Sequence, residues 1–123
     1  LDVGSRVPLH CTASGKLFLA FLPEDERELL LEHLSLQRMT PRTITSAAAL
    51  RAECARIAEA GHSTDRQEFI AGLIAVAVPV RHADGRVRAA IAVHAPVARM
   101  TLRTALTRLG ALRGAARRMQ GLL

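Results

Sequence analysis

The sequence predicts an α+β domain in which helices flank an antiparallel sheet. Two observations carry this reading. The runs Leu73–Arg81 and Arg86–His94 alternate bulky and small side chains on either side of Asp84-Gly85, a dipeptide that favours a tight hairpin. The remaining segments place apolar residues at helical spacing behind Ser or Thr start signals. A chain of 123 residues is long enough for one domain around one core.

Leu1–Leu9 reads as extended or irregular. Thr12 is placed to cap a helix that runs to about Leu22, where Pro23 ends it and opens a second helix, Glu24 to about His33. Acidic residues in the first turn of that second helix suit the positive end of its dipole. Gln37–Ile44, with Thr40-Pro41, is a loop. Thr45 or Ser46 caps a third helix that ends at Ala60, with Ala47, Leu50, Cys54, Ile57 and Ala58 on one face and Gly61 as a left-handed cap. Ala95-Pro96 ends the second strand. Thr101 caps one last helix to about Gln120, burying Leu102, Leu106, Leu109, Leu112, Ala116 and Met119. A lone hairpin is not a stable sheet, so further strands are expected from Leu1–Leu9, His62–Thr64, preceding sequence or a second copy.

Composition narrows the function classes. Half of the residues are hydrophobic but only 2% are aromatic, with no Trp or Tyr, which argues against a stacking platform for single-stranded nucleic acid. The net charge of +6 is almost all arginine, Lys16 being the single lysine. Such a charge favours anionic partners in general. Cys11 and Cys54 follow no disulfide or metal-ligand spacing and read as free thiols of a reducing cytoplasm. His10, His33, His62, His82 and His94 are scattered without metal spacing, and no cofactor or metal is expected. No apolar run has the length of a membrane span. The start at Leu1 instead of Met suggests a domain of a longer protein.

The hairpin's two faces differ. Ile74, Val76, Val78 and Val80 share one face with Val87, Ala89, Ile91 and Val93, while Leu73, Ala75 and Ala77 share the other with Arg88, Ala90, Ala92 and His94. The bulky face suits packing on helices. The small face is made of methyl groups and ends in an imidazole, so it either lines a cavity for a ligand or receives a closely packed helix; a void there would be costly.

Three stretches carry a family resemblance. VPLHCTASGKLFLAFLP (7–23), MTPRTIT (39–45) and the run from Gly61 through Asp65 and Glu68 to Ala75-Val76-Ala77 and Val80 resemble, in the same order, motifs of the effector-binding domain of IclR-type transcriptional regulators. The pattern departs at Arg81-His82, where an aromatic residue and an Asp or Asn are usual. The resemblance implies a GAF-like fold lacking the first part of the domain, with residues 1–123 as its C-terminal portion. It also implies a bacterial, cytoplasmic regulator that reaches DNA through an N-terminal helix-turn-helix absent from this chain, assembled as a homodimer or homotetramer without a membrane. The implied partner is a small organic acid. Its carboxylate would meet the backbone of Ala13 and Ser14, as a helix N-terminus favours. Asp65, Ala75, Ala92 and His94 fall on polar ligand-contacting positions of the family, and Leu73 and Val7 on its apolar wall. Cys or Ser occupies the positions of Ala75, Ala92 and His94 in some members. Here the expected pocket is wider and greasier, and suits an aromatic or acyl carboxylate. His94 would donate to it, and Asp65 would accept from a ligand hydroxyl or hold a loop.

Other features point elsewhere. Adjacent His10 and Cys11 on an extended segment face opposite sides and form no dyad, so no enzyme is expected. Arg103, Arg113, Arg117 and Arg118 opposite the leucines of the last helix read as a solvated face, or as a subunit or DNA-facing rim. A stand-alone GAF-like binding or oligomerisation module is the alternative, and an enzyme acting on a small acid is a second.

Overall fold

The computed structural model describes residues 8–122, in the order α1 (Ala13–Phe21), α2 (Glu24–His33), α3 (Ala47–Ala60), β1 (Ser63–Arg66), β2 (Leu73–Arg81), β3 (Val87–Pro96), α4 (Leu102–Leu106) and α5 (Leu109–Met119), with a 3-10 turn at Gln120–Leu122. The sheet is antiparallel in the order β1-β2-β3. Val7, an expected wall residue, lies outside the described residues.

Local chemistry explains the ends. The Thr12 hydroxyl accepts from Gly15 N–H at 3.0 Å, Ser46 from Ala49 N–H at 3.1 Å and Thr101 from Thr104 N–H at 3.1 Å, each cap contributing about 1 kcal/mol. Gly61 closes α3 at φ 79, in the left-handed region. The hairpin turn forms at His82–Arg86, with Gly85 at φ 85. In its register Ala75 pairs with His94, Ala77 with Ala92 and Pro79 with Ala90.

Each sheet face has its own core. On the bulky face Ile74, Val76, Val78 and Val80 pack with Ala105, Leu112 and Ala116, while Ala89, Ile91 and Val93 add to the contact. On the other face α1 lies across β2 and β3, and Ala75 and Ala77 join Ala13, Leu17, Ala20, Leu50, Cys54 and Ile57. Arg51 ties α3 to α2 by donating to Glu28 at 2.9 Å.

Three expectations are corrected. The last helix is broken at Thr107 and Arg108; the Thr107 hydroxyl donates to Thr104 C=O at 2.6 Å, a local bond that competes with helix continuation. Met119, beyond the break, is 37% exposed. Ala58 also lies on the solvent side of α3, one position off the buried stripe Leu50, Cys54 and Ile57.

Candidate functional site

At one end of the small-residue face lies a cavity of about 470 Å³, lined by Thr12, Ser14, Asp65, Phe69, Ile70, Leu73 and His94. Three elements converge there. The N-terminus of α1 supplies Thr12 and Ser14, the end of β1 supplies Asp65, and the adjoining ends of β2 and β3 supply Leu73 and His94.

The α1 terminus is built by close approach. Thr12 Oγ1 donates to Pro8 C=O at 2.8 Å while accepting from Gly15 N–H, which folds residues 8–12 back against the first turn. A Cβ on Gly15 would stand 2.7 Å from Leu9 Cα and 2.8 Å from Leu9 O, so only glycine permits this approach. Lys16 N–H donates to Thr12 C=O. Among the described residues nothing accepts from the N–H groups of Ala13 and Ser14, the orphan donors of a helix start. They leave a site suited to an oxyanion.

Asp65 sits 2% exposed, and its Oδ1 accepts from Glu68 N–H at 2.7 Å, so the carboxylate holds the following loop. Burial pushes the Asp65 carboxyl up, with the Glu68 carboxylate adding to the effect; the Glu68 N–H bond, Lys16 and His94 oppose it. His94 lies exposed at the cavity mouth, opposite Ala75 in the sheet.

A buried polar frame supports this rim. Lys16 is 0% exposed and donates to Glu53 at 2.7 Å and to Glu68 at 2.8 Å. Glu68 Oε2 in turn accepts from Arg66 N–H at 2.9 Å. The Thr40 hydroxyl donates to Gln67 C=O and the Thr43 hydroxyl to Glu68 C=O, each at 2.6 Å. This anchorage holds Gln67 at a left-handed φ of 60, and its Oε1 accepts from Gly72 N–H at 3.0 Å. The Thr-Pro-x-Thr loop thereby sets the shape of the segment that carries Phe69 and Ile70.

Of the expected site residues, Ser14, Asp65, Leu73 and His94 come together at the cavity. Ala13 starts α1 but is not among the residues that line the cavity, and its methyl group is in the core. Ala75 and Ala92 do not line the cavity. Ala75 is 0% exposed and both alanines pack with the residues of α1 and α3, so the argument that they face open space is corrected. Their small size lets α1 approach the sheet, the close-packing alternative. Sequence reasoning missed Phe69 and Ile70 as wall residues; the apolar pair within the polar connection before Leu73 was the available signal.

The His10-Cys11 pair forms no nucleophilic dyad. His10 Nε2 is hydrogen-bonded to Gln37 C=O at 2.8 Å, and burial, with Asp65 and Glu68, raises the Cys11 thiol to about 11. A thiol so placed stays protonated at neutral pH.

The model of the family described as "Bacterial transcriptional regulator IclR C-terminal" matches residues 1–120. The protein described as "Probable transcriptional regulator SauR" from Cupriavidus necator is 53% identical over 102 residues, which are 83% of this chain and 40% of that protein. The present chain thus spans less than half the length of that relative. The crystal structure of the C-terminal domain of E. coli transcriptional regulator KdgR superposes with a TM-score of 0.89 at 36% identity, over 96% of this chain and 72% of that one. The inducer-binding domain of an Acinetobacter PobR double mutant, crystallised with 3-hydroxybenzoic acid, gives 0.92 at 29% identity, over 98% and 69%. Helices flanking an antiparallel sheet are the GAF-like arrangement of these domains, and the chain belongs to the IclR family of bacterial transcriptional regulators, in its C-terminal effector-binding domain.

Proposed function

We propose that this chain is the sensor of a cytoplasmic regulator and takes an anionic metabolite, a carboxylic acid with an aromatic or acyl body, into the cavity between α1 and the ends of β2 and β3. The observation that carries the reading is the composition of the wall. Thr12 and Ser14 at a helix start, Asp65 and the His94 imidazole bring polar groups to the cavity, and Leu73, Phe69 and Ile70 give it an apolar surface. Such a pairing of a small polar set with an apolar surface suits an amphiphilic acid. The 3-hydroxybenzoic acid bound by the PobR inducer-binding domain supports this ligand class. The ligand carboxylate meets Ala13 and Ser14 N–H, His94 donates to it or to a ring hydroxyl, and Asp65 accepts from a hydroxyl while holding the 65–68 loop. Binding acts on DNA only through differential affinity for two arrangements of the intact oligomer, whose helix-turn-helix lies outside this chain.

Thermal-shift and calorimetric titration with a panel of aromatic and acyl carboxylates, 3-hydroxybenzoate among them, tests this. Saturable binding is expected for at least one member. His94→Ala should weaken it about tenfold or more, the loss of a charge-assisted hydrogen bond. Ser14→Glu should abolish it by setting a like charge at the carboxylate position, while the fold is kept because acidic residues suit a first helical turn. Affinity that survives both substitutions would reject the assigned pocket.

A further inference from the structure

The carboxylate cavity is larger than a single-ring acid needs. A hydroxybenzoate has about ten non-hydrogen atoms; at the ~30 Å³ that a water takes in the liquid, a cavity of about 470 Å³ holds about fifteen. Covalently bonded atoms take less room than waters, so a ring acid leaves much of the space unfilled. A ligand whose charged end sits at the start of α1 has Phe69, Ile70 and Leu73 as the apolar surface for its body.

Ile70 is 47% exposed, although it lines the cavity. Its loop is short and pinned at both ends. The Thr43 hydroxyl donates to Glu68 C=O before it. After it Gly72 N–H donates to Gln67 Oε1, Leu73 N–H to Ile70 C=O at 3.1 Å and Val97 N–H to Gly72 C=O at 2.8 Å. Gln67 and Gly72 take left-handed φ values of 60 and 86 on either side of the tip. A loop fixed in this way holds Ile70 at the rim, where its apolar surface stays in water until a ligand covers it. Each ligand methylene buried against such a wall tightens binding about threefold to fourfold.

We propose, resting on the carboxylate function proposed above, that the effector is an amphiphilic acid longer than a single ring, of about twelve to fifteen non-hydrogen atoms, with its body laid against Phe69 and Ile70.

The test is calorimetric titration of the chain with octanoate, decanoate and dodecanoate below their micellar concentrations, beside 3-hydroxybenzoate, which matches octanoate in non-hydrogen atoms. One-site binding is expected, tightening about threefold to fourfold with each methylene from octanoate to dodecanoate. Ile70→Asn should cut the ratio of dodecanoate to octanoate affinity about tenfold. Leu29→Asn, at an exposed position of α2 outside the cavity, should leave that ratio within about twofold. Both positions are exposed, and thermal melts without ligand check that the variants fold. Affinity that levels off or falls beyond octanoate, or a ratio indifferent to Ile70→Asn, overturns the inference while the carboxylate function stands. Equal binding of uncharged 1-decanol, or a ratio that falls alike in Leu29→Asn, overturns it in favour of unspecific apolar adsorption. Failure of these four acids to bind, with a binder found elsewhere in the wider carboxylate panel, overturns the size class alone. Failure of the whole panel overturns both.

Discussion

Leu73 and Ala75 point to the same face of β2, two residues apart, yet Ala75 is sealed beneath α1 while Leu73 opens onto the cavity. The boundary between them is where α1 begins. Up to Ala13 and Leu17 the helix covers the sheet, and small strand residues let it come close. Beyond its N-terminus no helix of the described residues covers Leu73 and His94, and the space is rimmed by Thr12, Ser14, Asp65 and His94. One pattern of small side chains thus serves close packing in the covered region, while polar end groups in the open region serve recognition. Substitutions in the two regions should fail in different ways: losses of stability in the first, losses of binding in the second.

The largest effect is expected at Lys16, which joins the two regions. Lys16→Met removes the cation between Glu53 and Glu68 and leaves the Glu68 carboxylate buried beside Asp65. Breaking such a pair costs about 3–5 kcal/mol. Chemical denaturation should show the midpoint falling accordingly. A change below about 1 kcal/mol would mean that the buried triad is not what holds the 65–68 loop.

Next comes a direct test of the covered face. Ala75→Leu adds bulk where Ala13, Leu17 and Ala20 already pack, and overpacking costs about 1–3 kcal/mol. If Ala75 faced unfilled space, the same change would be neutral or stabilising in thermal unfolding. That outcome would restore the alanine-lined pocket.

The sequence was legible wherever the cause was local. Caps at Thr12, Ser46 and Thr101, the stop at Gly61 and the Asp84-Gly85 hairpin each depend on residues a few positions apart, and all appear where their chemistry predicts. The alternation on the hairpin was equally clear. What filled its small face was not, because periodicity describes a strand and not the element laid over it. The polar frame was invisible for the same reason: Lys16 reaches Glu53 and Glu68 across 37 and 52 positions, and Thr40 reaches Gln67 across 27. The family motifs pointed to Ser14, Asp65, Leu73 and His94 without showing that Phe69 and Ile70 would complete the wall.

The smallest effect is expected at Asp65, where the open region meets the frame. Its folded-state pKa lies above the ordinary aspartate value, chiefly through burial. The sign follows from linkage: the folded state holds the proton more tightly, so this group's contribution is fully present below the ordinary aspartate range. It is lost as pH rises through the raised value. Asp65→Asn keeps an oxygen for Glu68 N–H but carries no charge, so it should be the less stable form at low pH and gain on the native chain as pH approaches neutrality. The change should stay within about 1 kcal/mol because a charge-assisted hydrogen bond is weakened at the same time. Urea midpoints for both proteins across that range would read it. A difference of the opposite sign, with the native chain gaining on the variant as pH rises, would mean that the Glu68 N–H bond, and not burial, governs this carboxyl. If the substitution also tightens a bound carboxylate at neutral pH, Asp65 is a repulsive neighbour that the cavity keeps for selecting hydroxylated acids.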